Sequence, residues 1–249
     1  MNAALPALVR FGILFMVLFV ATYLLIFMDA RLLHGVSVWE KPTKFFLSLA
    51  LHMGTLAWGI WLLPDEHRRA RSISVAAYAF IAAALFEEGY MVFQSIRGEA
   101  SHFNVSTPFH AAMYGLMGLG SLVLAGVTGY LGWRILRSGP SVVQFAAGWS
   151  FMVSAVTTTL VAGYLAQGTG HWIGGDQTDA TGLAFFHWST TGGDLRVAHF
   201  AALHIMQVVP LVAWFWPERR IVVAALGLGI ITVAALAIQA LMGIPFLRV

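Results

Sequence analysis

Seven runs of about 20 or more residues carry almost no charge, and this is the length an α-helix needs to cross the hydrocarbon of a bilayer. They fall at roughly 8–28, 43–63, 72–95, 108–137, 141–166, 195–216 and 220–244. Lipid offers the backbone no hydrogen-bond partners, so each run must satisfy its own amides, and a bundle of helices follows. Composition agrees, with 59% hydrophobic and 10% charged residues, against about 25% charged in an ordinary soluble domain. The expected fold is an all-α integral membrane protein, a seven-transmembrane helix bundle forming a single domain over 1–249. The first run begins at Leu8 behind an almost uncharged leader. It is too long for a signal-peptide core and lacks a small-residue cleavage site, so it reads as a retained helix.

Arginines set the expected orientation. Arg10, Arg68, Arg69, Arg71, Arg134, Arg137, Arg219 and Arg220 fall on one side of this topology, and Arg31, Lys41, Lys44, Arg97, Arg196 and Arg248 on the other. The first set is denser loop by loop, which predicts a cytoplasmic amino terminus and an outside carboxyl terminus in a bacterial inner membrane. The net charge of +3 and pI near 9.5 come from these flanking arginines. No basic stripe with interleaved aromatics points to nucleic acid. The partners expected are membrane lipids and, through the first and seventh spans, other membrane subunits.

Polar residues at steps of three or four mark the faces that lipid cannot cover. The second run carries Lys41, Lys44, Ser48, His52 and Thr55; the third, Glu87, Tyr90, Met91 and Gln94; the fourth, Thr107, His110, Tyr114, Met117 and Ser121. The fifth carries Ser150, Ser154, Thr157, Tyr164 and Gln167, and the sixth Arg196, Phe200, His204 and Gln207. Spans two to six are therefore expected to enclose a polar site. At a rise of about 1.5 Å per residue, His52, Glu87 and His204 all lie about 12–13 Å in from the outer boundary. His110 and His199 come nearer the surface, with Glu40, Arg97, His102, Asn104, His171 and Asp194 above them. Glu87 and Glu88 diverge by about 100° on a helix, and the stripe continuing through Tyr90 and Gln94 favours Glu87 as the one facing the site. His199 and His204 diverge by about 140° and so suit two different partners. The 167–194 loop, with seven glycines, three aspartates, His171, His187, Trp172 and Trp188, has the makings of an outer lid.

Ionisable residues within a span are costly and mark function by default. Glu87, Arg97, Asp194 and Arg196 are the candidates for reaction chemistry. His102, His199, His204, Gln207, Lys44 and Asn104 are candidates for holding a cofactor, and His52, His110 and His204 for ligating a metal. Absence of cysteine leaves out iron–sulfur clusters and c-type haem, so a metal would bind through His, carboxylate or Met. Met53, Met91, Met113, Met117 and Met206 read as packing residues rather than copper ligands.

The strings WEKPTKF (Trp39 to Phe45), RGEASHFNVSTP (Arg97 to Pro108) and GGDLRVAHFAALHIMQVVP (Gly192 to Pro210) resemble an uncharacterised family of bacterial polytopic membrane proteins over nearly the whole chain. The resemblance implies emphasis on Lys41, Lys44, Glu87, Gln94, Arg97, His102, Asn104, Asp194, Arg196, His199, His204 and Gln207. A retinal Schiff base needs a lysine in the last span, whereas the lysines here are Lys41 and Lys44. Ser48 and His52 look similar to the Ser-x-x-x-His element of alkaline ceramidases and adiponectin-receptor-like hydrolases. The late histidine pair departs from those enzymes, being spaced by five and lying on the sixth run.

Three functions remain open on sequence. One is a redox protein with haem b or a His-ligated metal, using His204 with His52 or His110 and pairing Arg97 and Arg196 with propionates. Another is a zinc-dependent membrane hydrolase acting on a lipid-like substrate with Glu87 as general base. The third is a proton- or small-solute-binding transport or assembly subunit without catalysis, with Glu87 and the histidines as relay groups.

Overall fold

A computed structural model describes residues 4–248. Helices form over all seven apolar runs, their ends within a few residues of those expected: α1 (Ala4–Met28), α2 (Glu40–Trp61), α4 (Arg71–Arg97), α5 (Pro108–Leu136), α6 (Val142–Leu165), α7 (Leu195–Phe215) and α8 (Arg219–Leu241). A single turn, α3 (Asp65–Arg68), lies between α2 and α4. Two short hairpins complete the described structure: β1 (Leu32–Leu33) with β2 (Val36–Ser37), and β3 (Trp172–Ile173) with β4 (Gly193–Asp194), both antiparallel.

Six of the helices, all but α2 and α3, are long and apolar enough to cross a membrane, so the chain is a multi-pass bundle by length and composition. Although 22 residues long, α2 is less apolar because Glu40, Lys41, Lys44, Ser48, His52 and Thr55 lie in it. The surface elsewhere fits lipid: Ile13, Val17 and Phe27 on α1 are 60%, 60% and 72% exposed.

By its internal contacts the chain gathers into two compact units, Met1–Gly139 and Pro140–Val249.

In the first unit α4 packs on α1, α2 and α5, and α1 lies along α2. Helices in lipid gain little from hydrophobic transfer and associate through close van der Waals packing and interhelical hydrogen bonds. Gly12 accordingly brings α1 up to Ala50 and Met53 of α2, and Phe15 meets Phe46 edge-on at 5.2 Å. The β1–β2 hairpin is held at the far end: Asp29 accepts from Trp39 Nε1 at 2.9 Å, and Arg31 Nη1 donates to the Ile96 carbonyl at 2.8 Å. Gly98, in the left-handed region at φ +71°, ends α4. Thr107 then starts α5 by accepting from the His110 amide at 3.2 Å, with Pro108 in the first turn.

In the second unit, α6, α7 and α8 pack together around Ala146, Ala202, Ile205, Val209, Ala213, Val222, Leu226 and Val233. Ser154 Oγ donates across to the Ala202 carbonyl at 2.7 Å, tying α6 to α7. Ser141 and Gln144 form a capping box at the start of α6. Gly193 lets β4 lie against the backbone of α8, since a Cβ there would collide with the Ala240 carbonyl.

Candidate functional site

The first unit buries two neighbouring carboxyls. Glu87 is 4% exposed and Glu88 2%. The sequence reading favours Glu87 alone; both are covered because α4 has neighbours on more than one side. Glu87 leans on α5, where a Cβ built at Gly120 would stand 2.5 Å from Glu87 Oε1, so the glycine gives the carboxyl room that a larger residue would make it yield. Three of the four oxygens, Glu87 Oε1 and both of Glu88, are buried without a hydrogen-bond partner. Leaving a buried polar atom unsatisfied costs about 1–3 kcal/mol, and more when it is charged. The cation within electrostatic reach of both carboxyls is Lys41, in the first turn of α2.

His102 belongs to the same cluster. Its ring packs on Phe45 (6.2 Å) and Tyr114 (6.0 Å), and its Nδ1 lies 3.1 Å from Ser101 Oγ. Lys41 stands over the same Phe45 ring, 5.9 Å from its centre. Burial, reinforced by the Lys41 charge, holds His102 well below the usual imidazole range.

Above Glu87 on α4 come Tyr90 and Gln94. The Tyr90 hydroxyl and Gln94 Oε1 are also buried without partners, and Tyr90 packs with Met91, Met113 and Met117. The methionines thus serve as packing here. Gln94 Nε2 and Asn104 Nδ2 both donate to the Ala100 carbonyl, at 3.0 and 3.1 Å, which fixes the turn after α4. At the end of the helix a polar chain begins with Arg97, whose Nη2 donates to Glu99 Oε1 at 2.8 Å. His110 Nε2 lies 3.3 Å from Glu99 Oε2, and its Nδ1 lies 3.0 Å from Ser106 Oγ. Ser106 Oγ donates to Asn104 Oδ1 at 2.7 Å. The hydrogen bond from Arg97 outweighs burial and keeps the Glu99 carboxyl below its ordinary range.

Two sequence candidates in this unit have local partners. His52 Nε2 lies 2.8 Å from Thr128 Oγ1, a bond between α2 and α5, and its ring meets Phe80 at 4.7 Å. Lys44 pairs with Glu40 one turn earlier at 3.1 Å.

The second unit also buries two carboxylates, with a different outcome. Asp194 starts α7 and accepts from the amides of Arg196 and Ser189, both at 3.0 Å. Arg196 Nη2 reaches Asp194 Oδ2 at 2.7 Å and Asp179 Oδ1 at 2.8 Å, and also donates to the His187 carbonyl. His171 Nε2 is 3.2 Å from Asp179 Oδ1. Burial disfavours the charged form of Asp179, but His171 and Arg196 outweigh it and bring the carboxyl down to about 2. Burial is also the main cause holding His171 below its ordinary range. Phe186 stacks on Trp188 at 4.4 Å, and both meet Phe200. The 167–194 segment is therefore a folded cap on the end of α7.

On α7, His199 Nδ1 is buried without a partner, while His204 packs on Phe200 at 4.1 Å and lies beside Gln207. Among the described residues no three His, Asp or Glu side chains converge as a set able to hold a metal ion. His204 belongs to the second unit, whereas His52 and His110 belong to the first. Sequence reasoning set Glu88 behind Glu87 and missed Glu99, Gly120 and Asp179. Glu99 had a signal, since it sits inside the Arg97–Pro108 string; Gly120 had none. No protein-family model, curated protein or solved structure matches the chain.

Proposed function

We propose that this protein is a proton-binding membrane protein whose acid pair, Glu87 and Glu88, exchanges protons with the end of α4 that carries Arg97, Glu99 and His110. The observation that carries this reading is the pair itself, two carboxyls under 5% exposed with three oxygens lacking any hydrogen-bond partner. Among possible occupants a proton fits best, because the Glu87 carboxyl itself fills the space that Gly120 leaves beside it. A proton also gives a carboxyl buried in a span its least costly form. Lys41 supplies a countercharge, so the pair can lose one proton without leaving a bare anion in the bundle.

The route runs along one face of α4. Tyr90 and Gln94 stand between Glu87 and the outer chain, and the His110 ring contacts a carboxylate on one nitrogen and a hydroxyl on the other. That arrangement lets the imidazole take up a proton on one side and release it on the other. The haem, metal and hydrolase readings would draw on His52 and His110, and both have a ring nitrogen engaged by side chains of the protein. The proton reading uses these contacts as they stand. In this account α2 is the seventh span, the amino terminus lies in the cytoplasm of a bacterium, and the Arg97 end faces outward.

Reconstituted vesicles carrying a trapped pH dye test the proposal. An imposed potential drives proton flux through the wild type, and Glu87→Gln and Glu88→Gln each reduce it at least about tenfold. Equal flux through both variants would overturn the assignment.

A further inference from the structure

At the opposite end of α4 from the acid pair, an open groove of 490 Å³ runs between α4 and α5. Its walls are Val75, Ala76, Gly126, Val127 and the ring of Tyr130, with Arg71 and Ser72 at one end. A side chain at Gly126 would meet nothing, so the glycine leaves the trough open rather than fitting a neighbouring helix. Aromatic and basic residues crowd the same end. The Arg137 guanidinium stacks on Trp133 at 4.7 Å, and Arg134 donates to Tyr130 Oη at 2.8 Å and Ser72 Oγ at 2.9 Å. Tyr and Trp with arginines mark the level of the lipid headgroups.

The arginines here differ in what they already hold. Arg68 binds the Trp61 and Leu63 carbonyls and pairs with Asp65 at 3.3 Å. Arg134 and Arg137 are engaged as above. Arg69 and Arg71 are exposed and, among the described residues, have no carboxylate partner. Arg71 thus stands as a free cation at the end of an apolar trough, and the exposed Arg69 precedes it by two residues in the chain.

We propose that this groove binds an anionic phospholipid, with one acyl chain lying along Gly126 and Val127 and the phosphate held by Arg69 and Arg71. A chain alone would be satisfied by any lipid, and two guanidiniums alone by any anion; the combination selects a lipid with a net negative headgroup. The inference is independent of the proton reading, since it uses neither Glu87 nor Glu88.

The test is native mass spectrometry of the full chain released from nanodiscs of phosphatidylglycerol mixed with phosphatidylcholine. The wild type should retain one phosphatidylglycerol in preference to phosphatidylcholine. The double variant Arg69→Gln/Arg71→Gln should lower that retention about tenfold or more. Gly126→Leu fills the trough and should lower retention while leaving both cations in place, with circular dichroism confirming that each variant is folded. Equal retention of the two lipids, unchanged retention in Gly126→Leu, or inorganic phosphate competing as well as the lipid does would each overturn the proposal.

Discussion

Both units bury two carboxylates near a helix end or within a helix, and they treat them in opposite ways. Asp179 and Asp194 share the Arg196 guanidinium, with His171 beside Asp179 and backbone amides donating to Asp194 as well. Glu87 and Glu88 both feel the charge of Lys41, and among the described residues three of their oxygens accept no hydrogen bond. Buried charges with satisfied partners hold a structure together, and removing one partner is what costs. Buried acids left unsatisfied add nothing to stability when charged, so their presence calls for another explanation, and the proposed proton exchange offers one.

Breaking the satisfied side should have the largest effect. Arg196→Met leaves two buried carboxylates without their cation and should destabilise the second unit by about 3–5 kcal/mol. Thermal unfolding would report it, and limited proteolysis within 167–194 would show the cap opening. A mutant as stable as the wild type would mean that the network is incidental.

Next comes the packing of the acid pair. Gly120→Ala places a Cβ 2.5 Å from Glu87 Oε1, which makes the carboxyl end of that flexible side chain swing aside and should cost about 1 kcal/mol, the low end of overpacking. Glu87→Ala in the same background removes the clash, so the double variant should recover much of that loss. Failure to recover would place the strain somewhere other than the carboxyl.

Acid separates the units further. Asp179 is held down to about 2 in the fold, against an ordinary value of 3.8. Its contribution is therefore complete above its unfolded value and lost as pH falls toward about 2, an effect of about 2 kcal/mol. His171, held below its ordinary range by burial, acts in the same direction: protonation favours the unfolded chain, so stability begins to fall once pH drops below the ordinary imidazole value. The unfolding temperature of the second unit should decline steadily on acidification. A rise would contradict the assigned contacts.

The smallest effect is the most diagnostic. Glu88→Gln removes no hydrogen bond and should change stability by less than about 1 kcal/mol in either direction, in contrast to Asp194→Asn, which weakens a used acceptor and should be clearly destabilising.

Helix positions were legible in the sequence because a bilayer demands uninterrupted apolar length, and six of the seven runs form helices that supply it. That Glu87 would be buried was legible for the same reason. The burial of Glu88 was not, since helical spacing sorts faces only for a helix covered on one side, and α4 packs on α1, α2 and α5. Asp194 and Arg196 were visible as candidates, but the third member of their network, Asp179, lies 17 residues from Arg196 through an irregular loop, where no periodicity links partners. Lys41 could equally have pointed to headgroups; its place near Glu87 and Glu88 depends on how α2 docks on α4.

Infrared difference spectroscopy of the reconstituted protein across a pH titration tests the central claim most directly. The account predicts a protonated-carboxyl C=O band that titrates reversibly, shrinks in Glu87→Gln and in Glu88→Gln, and disappears in the double variant. A band unaffected by both substitutions, or no titrating carboxyl band at all, would contradict it.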